Sequence, residues 1–121
     1  MVQDFKKLQI WEKAVAFHKE IISEINKFPQ EEKYAMCSQL RRASLSISNN
    51  IAEGCGKTSV KEFKAYLLNA MGSIKEVESM LNVARELGYI TQLTFKKLDE
   101  DINGLGKQLN IFIKRIIEDK Q

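Results

Sequence analysis

Apolar residues recur at steps of three and four along nearly the whole chain, the period of a helix with one buried side. In the first segment Leu8, Val15 and Ile22 repeat every seven, with Trp11, His18 and Ile25 between them. A second segment, about 34 to 53, brings Met36, Leu40, Ala43, Ile47 and Ile51 to one side. In the third, Val60, Leu67, Ile74 and Leu81 alternate with Phe63, Ala70, Val77 and Ala84. In the fourth, Phe95, Ile102, Leu109 and Ile116 alternate with Leu98, Leu105 and Phe112. Such spacing makes a narrow apolar seam, suited to helices packed close to parallel.

The breaks agree with four helices. Phe28-Pro29 closes the first, because the residue before proline avoids the helical region. Gly54-Cys55-Gly56 loosens the second, and Ser59-Val60-Lys61-Glu62 is a capping box that opens the third. Leu87-Gly88-Tyr89 reads as a glycine C-cap, and Thr91 as the cap of the helix that follows. Short joints then predict an all-α fold, an antiparallel up-down-up-down four-helix bundle in a single domain over residues 1–121. Gly72, Gly104 and Gly106 fall inside helical pattern, at about 1 kcal/mol each against alanine, and are read as close-packing positions.

Composition changes this picture little. With 44% hydrophobic and 29% charged residues, 121 residues suffice for one continuous core. The formal net charge of +3 permits nucleic-acid binding without arguing for it, since a basic footprint needs clustering more than a total. No apolar run reaches the roughly 20 residues of a membrane span. The opening residues, 1–7, lack the apolar core of a signal peptide, so the expected location is the cytoplasm. Cys37 and Cys55 fall in one helical segment, about 27 Å apart by helical rise, and are expected to be reduced, buried and inert.

Candidate chemistry is sparse. His18, the single histidine, lies on the predicted apolar seam and reads as a satisfied core or interface histidine. No Glu-x-x-His pair exists, which excludes the usual di-iron bundles; no metal or cofactor is expected, and no enzymatic constellation emerges. Gly54-x-Gly56 before Lys57-Thr58-Ser59 lacks the strand and glycine spacing of a phosphate loop. Lys57, Lys61 and Lys64 share a face where the third helix begins and could meet phosphate; Lys107, Lys114 and Arg115 lie near the end of the fourth.

The second helix is the most distinctive. Arg42, Ser46, Asn49 and Glu53 form one polar ridge, while Arg41 projects about 100° away. Ser44, Ser48 and Ala52 keep the neighbouring surface thin enough for another helix to approach. On the third helix Glu78 sits beside the apolar seam next to Glu76, and Arg41 or Arg42 is its expected partner.

Several of these residues carry a family resemblance. Leu8-x-x-Trp11-x-x-Ala14, Phe28-Pro29-x-x-Glu32, Gln39-Leu40-Arg41-Arg42-Ala43 and Ser46-Ile47-x-x-Asn50-Ile51-Ala52-Glu53-Gly54-x-Gly56 are joined by Glu62-Phe63, Ala70-x-Gly72-Ser73-x-x-Glu76-x-Glu78 and Leu87-Gly88-Tyr89. Together they resemble the small four-helix-bundle proteins encoded in intervening sequences of bacterial 23S rRNA genes, and over nearly the whole chain. The accessory variability protein of diversity-generating retroelements is similar. Two departures show: Ser48 stands where the family often has proline, and Lys57 where it often has arginine. The first leaves the second helix straighter. The second keeps the charge without the bidentate fork.

The resemblance implies a bundle that assembles into a homopentameric ring with a non-enzymatic role near RNA or nucleoprotein. On this reading Arg41, Arg42, Asn50, Glu53 and Glu78 hold the subunit or the ring, and Lys57, Lys61 and Lys64 face phosphate. The alternative is a protein-binding adaptor, for example to a reverse transcriptase, with no direct RNA contact.

Overall fold

A computed structural model describes residues 4–119, with side chains described through residue 117. Residues 1–3, part of the stretch read above for a signal peptide, lie outside the described residues. The described residues form four helices: α1 (Gln9–Ile25), α2 (Met36–Cys55), α3 (Val60–Glu86) and α4 (Gln92–Asp119). Short 3-10 turns at Phe5–Lys7 and Gln30–Glu32 precede α1 and α2. Paired contacts run in opposite directions. His18 meets Ser44 while the Cys37 thiol reaches Ile25 O; Arg42 meets Glu76 while Ser46 meets Ser73. Likewise Phe63 packs on Phe112 while Arg85 stacks on Phe95. Each helix is therefore antiparallel to the next, as the apolar spacing predicts.

The ends are made by the expected devices. Ser59 Oγ accepts from Glu62 N at 3.1 Å and so caps α3, while the Glu62 carboxylate accepts from the Ser59 hydroxyl rather than from a backbone N–H, so only half of the expected capping box forms. At the other end Gly88 adopts φ +78, which a side chain resists. There Tyr89 N donates to Ala84 O at 2.9 Å and Gly88 N to Arg85 O at 3.0 Å, a Schellman pair. Thr91 Oγ1 accepts from Thr94 N to start α4.

The core follows the predicted seams in α2, α3 and α4. Phe63, Leu67, Ala70, Ile74, Val77, Leu81 and Ala84 are all buried along α3. On α4, Ile113 is buried in place of Phe112, which is only partly covered. In α1 the buried line is Ile10, Ala14, Phe17, Ile21 and Ile25. Of the predicted line only Ile25 is buried; Leu8, Trp11, Val15, His18 and Ile22 are half-buried, and His18 faces α2. α1 carries apolar residues on two adjoining strips, and seven-residue spacing alone does not rank them; the strip facing the bundle centre wins because it meets two or more helices at once.

Two boundaries differ from the sequence reading. α1 stops at Ile25, three residues before Phe28, and α2 runs through Gly54 and Cys55 rather than loosening there. Gly54 stays helical because its missing side chain makes room: a β-carbon there would stand 3.0 Å from Phe63 Cδ1 and 3.2 Å from Tyr66 Cβ. The close-packing role expected of the other helical glycines does not hold inside the chain. A β-carbon on Gly72 or Gly104 would meet nothing within 4 Å, and on Gly106 only ordinary contacts with Ile74 and Met71.

Opposite outcomes follow for the two kinds of glycine. Gly54→Ala should destabilise by about 1–3 kcal/mol, because Phe63 is fully buried and cannot yield. Gly72→Ala should stabilise by about 1 kcal/mol through helix propensity alone. Urea denaturation of both variants beside the parent chain measures each difference.

Candidate functional site

The polar surface predicted on α2 divides once folded. Ser44 and Ser48 are buried, so the close-approaching helix that their small side chains admit is α1 of the same chain. Ser44 Oγ donates to Arg41 O at 3.3 Å, and Ser48 Oγ donates to Leu45 O at 3.1 Å. Ser44 Oγ also shares a hydrogen bond with His18 Nδ1 across 2.7 Å. His18 is thus a satisfied half-buried histidine. Burial, and then the Arg41 charge, hold its pKa below the ordinary 6.5.

The side facing α3 is a polar layer. Arg42 Nη2 lies 3.0 Å from Glu76 Oε2, and Ser73 Oγ donates to Ser46 Oγ at 3.0 Å. Asn50 Nδ2 donates to Ser46 O and Ser46 Oγ, both at 2.9 Å. Arg42 therefore bridges α2 and α3, while Asn50 bonds within α2, to Ser46. The partner expected for Glu78 is corrected: Glu78 Oε1 takes Lys75 Nζ at 3.2 Å, and the arginine goes to Glu76 instead. Positions 76 and 78 lie about 200° apart around the helix, so only one can face α2, and it is Glu76. Arg41 and Glu53 are exposed, and neither has an ion pair among the described residues.

The three lysines gather at the end of the bundle where α2 passes to α3. Lys61 and Lys64 are exposed; Lys57 is half-buried, its Nζ 5.0 Å above the Tyr66 ring. Cys37 and Cys55 are buried and free, and burial raises both thiols.

At the opposite end the sequence reading missed a link between two of its own motifs. Tyr89 OH donates to Glu32 Oε2 at 2.8 Å while Glu32 Oε1 accepts from Met36 N at 3.3 Å. One carboxylate thus holds the α3–α4 turn and serves the first turn of α2, where the helix dipole favours negative charge. That hydrogen bond raises the Tyr89 pKa. Phe28 stacks on Tyr89 with ring centroids 5.4 Å apart. Tyr89 and Glu32 are 57 positions apart in the chain, and nothing in local spacing pairs them.

No helix among the described residues is long and apolar enough to cross a membrane, and no group of three His, Cys, Asp or Glu residues there could hold a metal. The class is that of an antiparallel four-helix bundle. The chain belongs to the 23S rRNA-intervening sequence protein family, whose model matches residues 6–111. A solved structure of a protein of unknown function from the S23 ribosomal protein family of Bacteroides thetaiotaomicron has the same fold. The two superpose with a TM-score of 0.78 at 24% identity, over 87% of this chain and 98% of that one. No curated protein matches the sequence.

Two consequences are measurable. Because the folded pKa of His18 lies below 6.5, the fold favours its neutral form; that contribution is complete above pH 6.5 and is lost as pH falls from there through the lower folded pKa. His18→Gln should therefore lose less stability than the parent chain between pH 8 and pH 5.5 in urea denaturation. Arg42→Ala, breaking an ion pair with both partners partly exposed, should cost the subunit no more than about 1 kcal/mol in the same assay.

Proposed function

We propose that this protein is a non-enzymatic, homo-oligomeric partner of RNA or nucleoprotein in the cytoplasm, assembled as a pentameric ring. The observation that carries the reading is membership, over residues 6–111, in a family defined by 23S rRNA intervening sequences. Lys57, Lys61 and Lys64 are the residues assigned to phosphate, because they cluster at one end of the bundle without an ion pair among the described residues. Each patch is weak alone. A ring presents several together, and the second contact then forms at the effective concentration set by the first.

Fluorescence anisotropy with a single-stranded RNA across a salt series tests this, on protein whose mass is known from light scattering. Affinity should fall with salt at a slope near −0.7 per phosphate neutralised. Replacing all three lysines by alanine should flatten that slope by about 2 for each subunit engaged while the mass stays unchanged. Absence of binding at low salt by an intact oligomer would refute direct RNA contact and leave a scaffold for another polypeptide.

A further inference from the structure

Three clefts run along the seam between α1 and α4, and neighbouring clefts share a wall residue, Gln108 and then Glu20. The first, about 300 Å³, lies among Leu8, Ile111 and Phe112 and is lined by Lys7 and Arg115, with no carboxylate among its walls. The middle one, about 310 Å³, has buried Phe17 and Leu105 behind exposed Ala16 and Gly104. The third, about 420 Å³, is lined by Leu93, Leu98, Glu20, Glu24 and Lys97. Together they form one groove, basic at one end. At the other, the carboxylates of Glu20, Glu24 and Asp101 gather around two lysines: Lys97 bridges Glu20 at 2.7 Å and Asp101 at 3.1 Å, and Lys27 takes Glu24 at 3.4 Å. Large apolar side chains stand open at both ends: Leu93 is 81% exposed and Ile111 56%.

Elsewhere on the molecule α2 presents the matching relief. Arg41, Leu45, Asn49 and Glu53 follow one another at four-residue steps, the spacing of a helix ridge, and all four are exposed. Leu45, at 42% exposure, stands between an arginine and a glutamate that have no ion pair among the described residues. By helical rise the two charges lie about 18 Å apart, against about 21 Å from Asp101 to Arg115 along the groove.

Their heights along the bundle also agree. His18 is level with Ser44 and Glu20 with Lys97, so Arg41 stands at the acidic end. Asp4 lies near enough to Cys55 to raise its thiol, so the Phe5–Lys7 turn stands at the Glu53 end, which is the basic one.

We propose that the Arg41–Leu45–Asn49–Glu53 ridge of one copy seats in the α1/α4 groove of the next. Arg41 then meets Glu20, Glu24 and Asp101, Glu53 meets Lys7 and Arg115, and Leu45 enters the apolar middle. The contact rests on the homo-oligomer reading above and names its two surfaces. It joins different faces, and matching the charges takes rotation about the bundle axis with little shift along it, the condition for a ring rather than a filament. Every copy then carries Lys57, Lys61 and Lys64 on the same rim.

Light scattering on the full chain tests the contact with two variants. Leu45→Glu spoils the ridge at an exposed position. Gly104→Lys fills the groove at a position where a β-carbon meets nothing within 4 Å, so both should keep parent-like helical circular dichroism. Each variant alone should be monomeric. Mixed in equal amounts, they should form a 1:1 dimer and no larger species, because the pair retains one intact ridge and one intact groove.

Should either variant perturb folding, Glu53→Lys should weaken assembly at least tenfold, and adding Arg115→Glu should restore it. Variants that keep the parent mass, or a mixture that stays monomeric, would overturn the contact while leaving the oligomer reading intact. A parent chain that is monomeric at every concentration would overturn the oligomer itself.

Discussion

Phe63 is fully buried and sits 3.0 Å from where a β-carbon on Gly54 would be, and this contact sets how closely α2 and α3 lie. Burying a phenylalanine gains about 1.5–3 kcal/mol, and glycine at 54 is what lets the ring come that near. Everything polar between the two helices depends on the resulting spacing. Ser46 can reach Ser73, and Arg42 can reach Glu76, only because the backbones are close. The same contact folds residues 56–59 into a short turn and gathers Lys57, Lys61 and Lys64 at one end.

The four seams are not equivalent. The α2–α3 seam is tight and closed by a polar layer; the α1–α2 seam is thinned by Ser44 and Ser48, with His18 bonded across it. The α1–α4 seam is the loose one, with three adjoining clefts and exposed Leu93 and Ile111. A bundle of this size has little apolar area to spare, so leaving one seam open is a stability cost that association with a second surface would offset. The turns at the far end are clamped separately by Glu32, Tyr89 and Phe28.

Much of the fold was legible in the residues. Phe63 through Ala84 and Phe95 through Ile116 mark their buried sides because each helix offers one apolar strip, and a single strip has only one way to be buried. Ser59, Gly88 and Thr91 mark ends because caps are local chemistry, decided within a few residues. α1 was misread for the complementary reason: it has two adjoining strips, and choosing between Ile10–Ala14–Phe17 and Leu8–Val15–Ile22 requires knowing where its neighbours stand. The glycines misled in the same way. Gly54 resembled a break and is a packing position, while Gly72 and Gly104 resembled packing positions and face open space within the chain.

The candidate surfaces divide along the same line. The sequence by itself determined that the chain is an antiparallel bundle of the 23S rRNA-intervening sequence family, because periodicity, caps and a nearly full-length motif set are all read locally. Only the tertiary structure decided that Arg42 takes Glu76 rather than Glu78, that Glu32 holds Tyr89, and that Arg41 and Glu53 stand without an ion pair among the described residues. It also decided that the α1–α4 seam stays open. These are pairings between residues tens of positions apart. Their geometry is set by helix rotation and by how closely neighbouring backbones approach, which no spacing along one helix encodes.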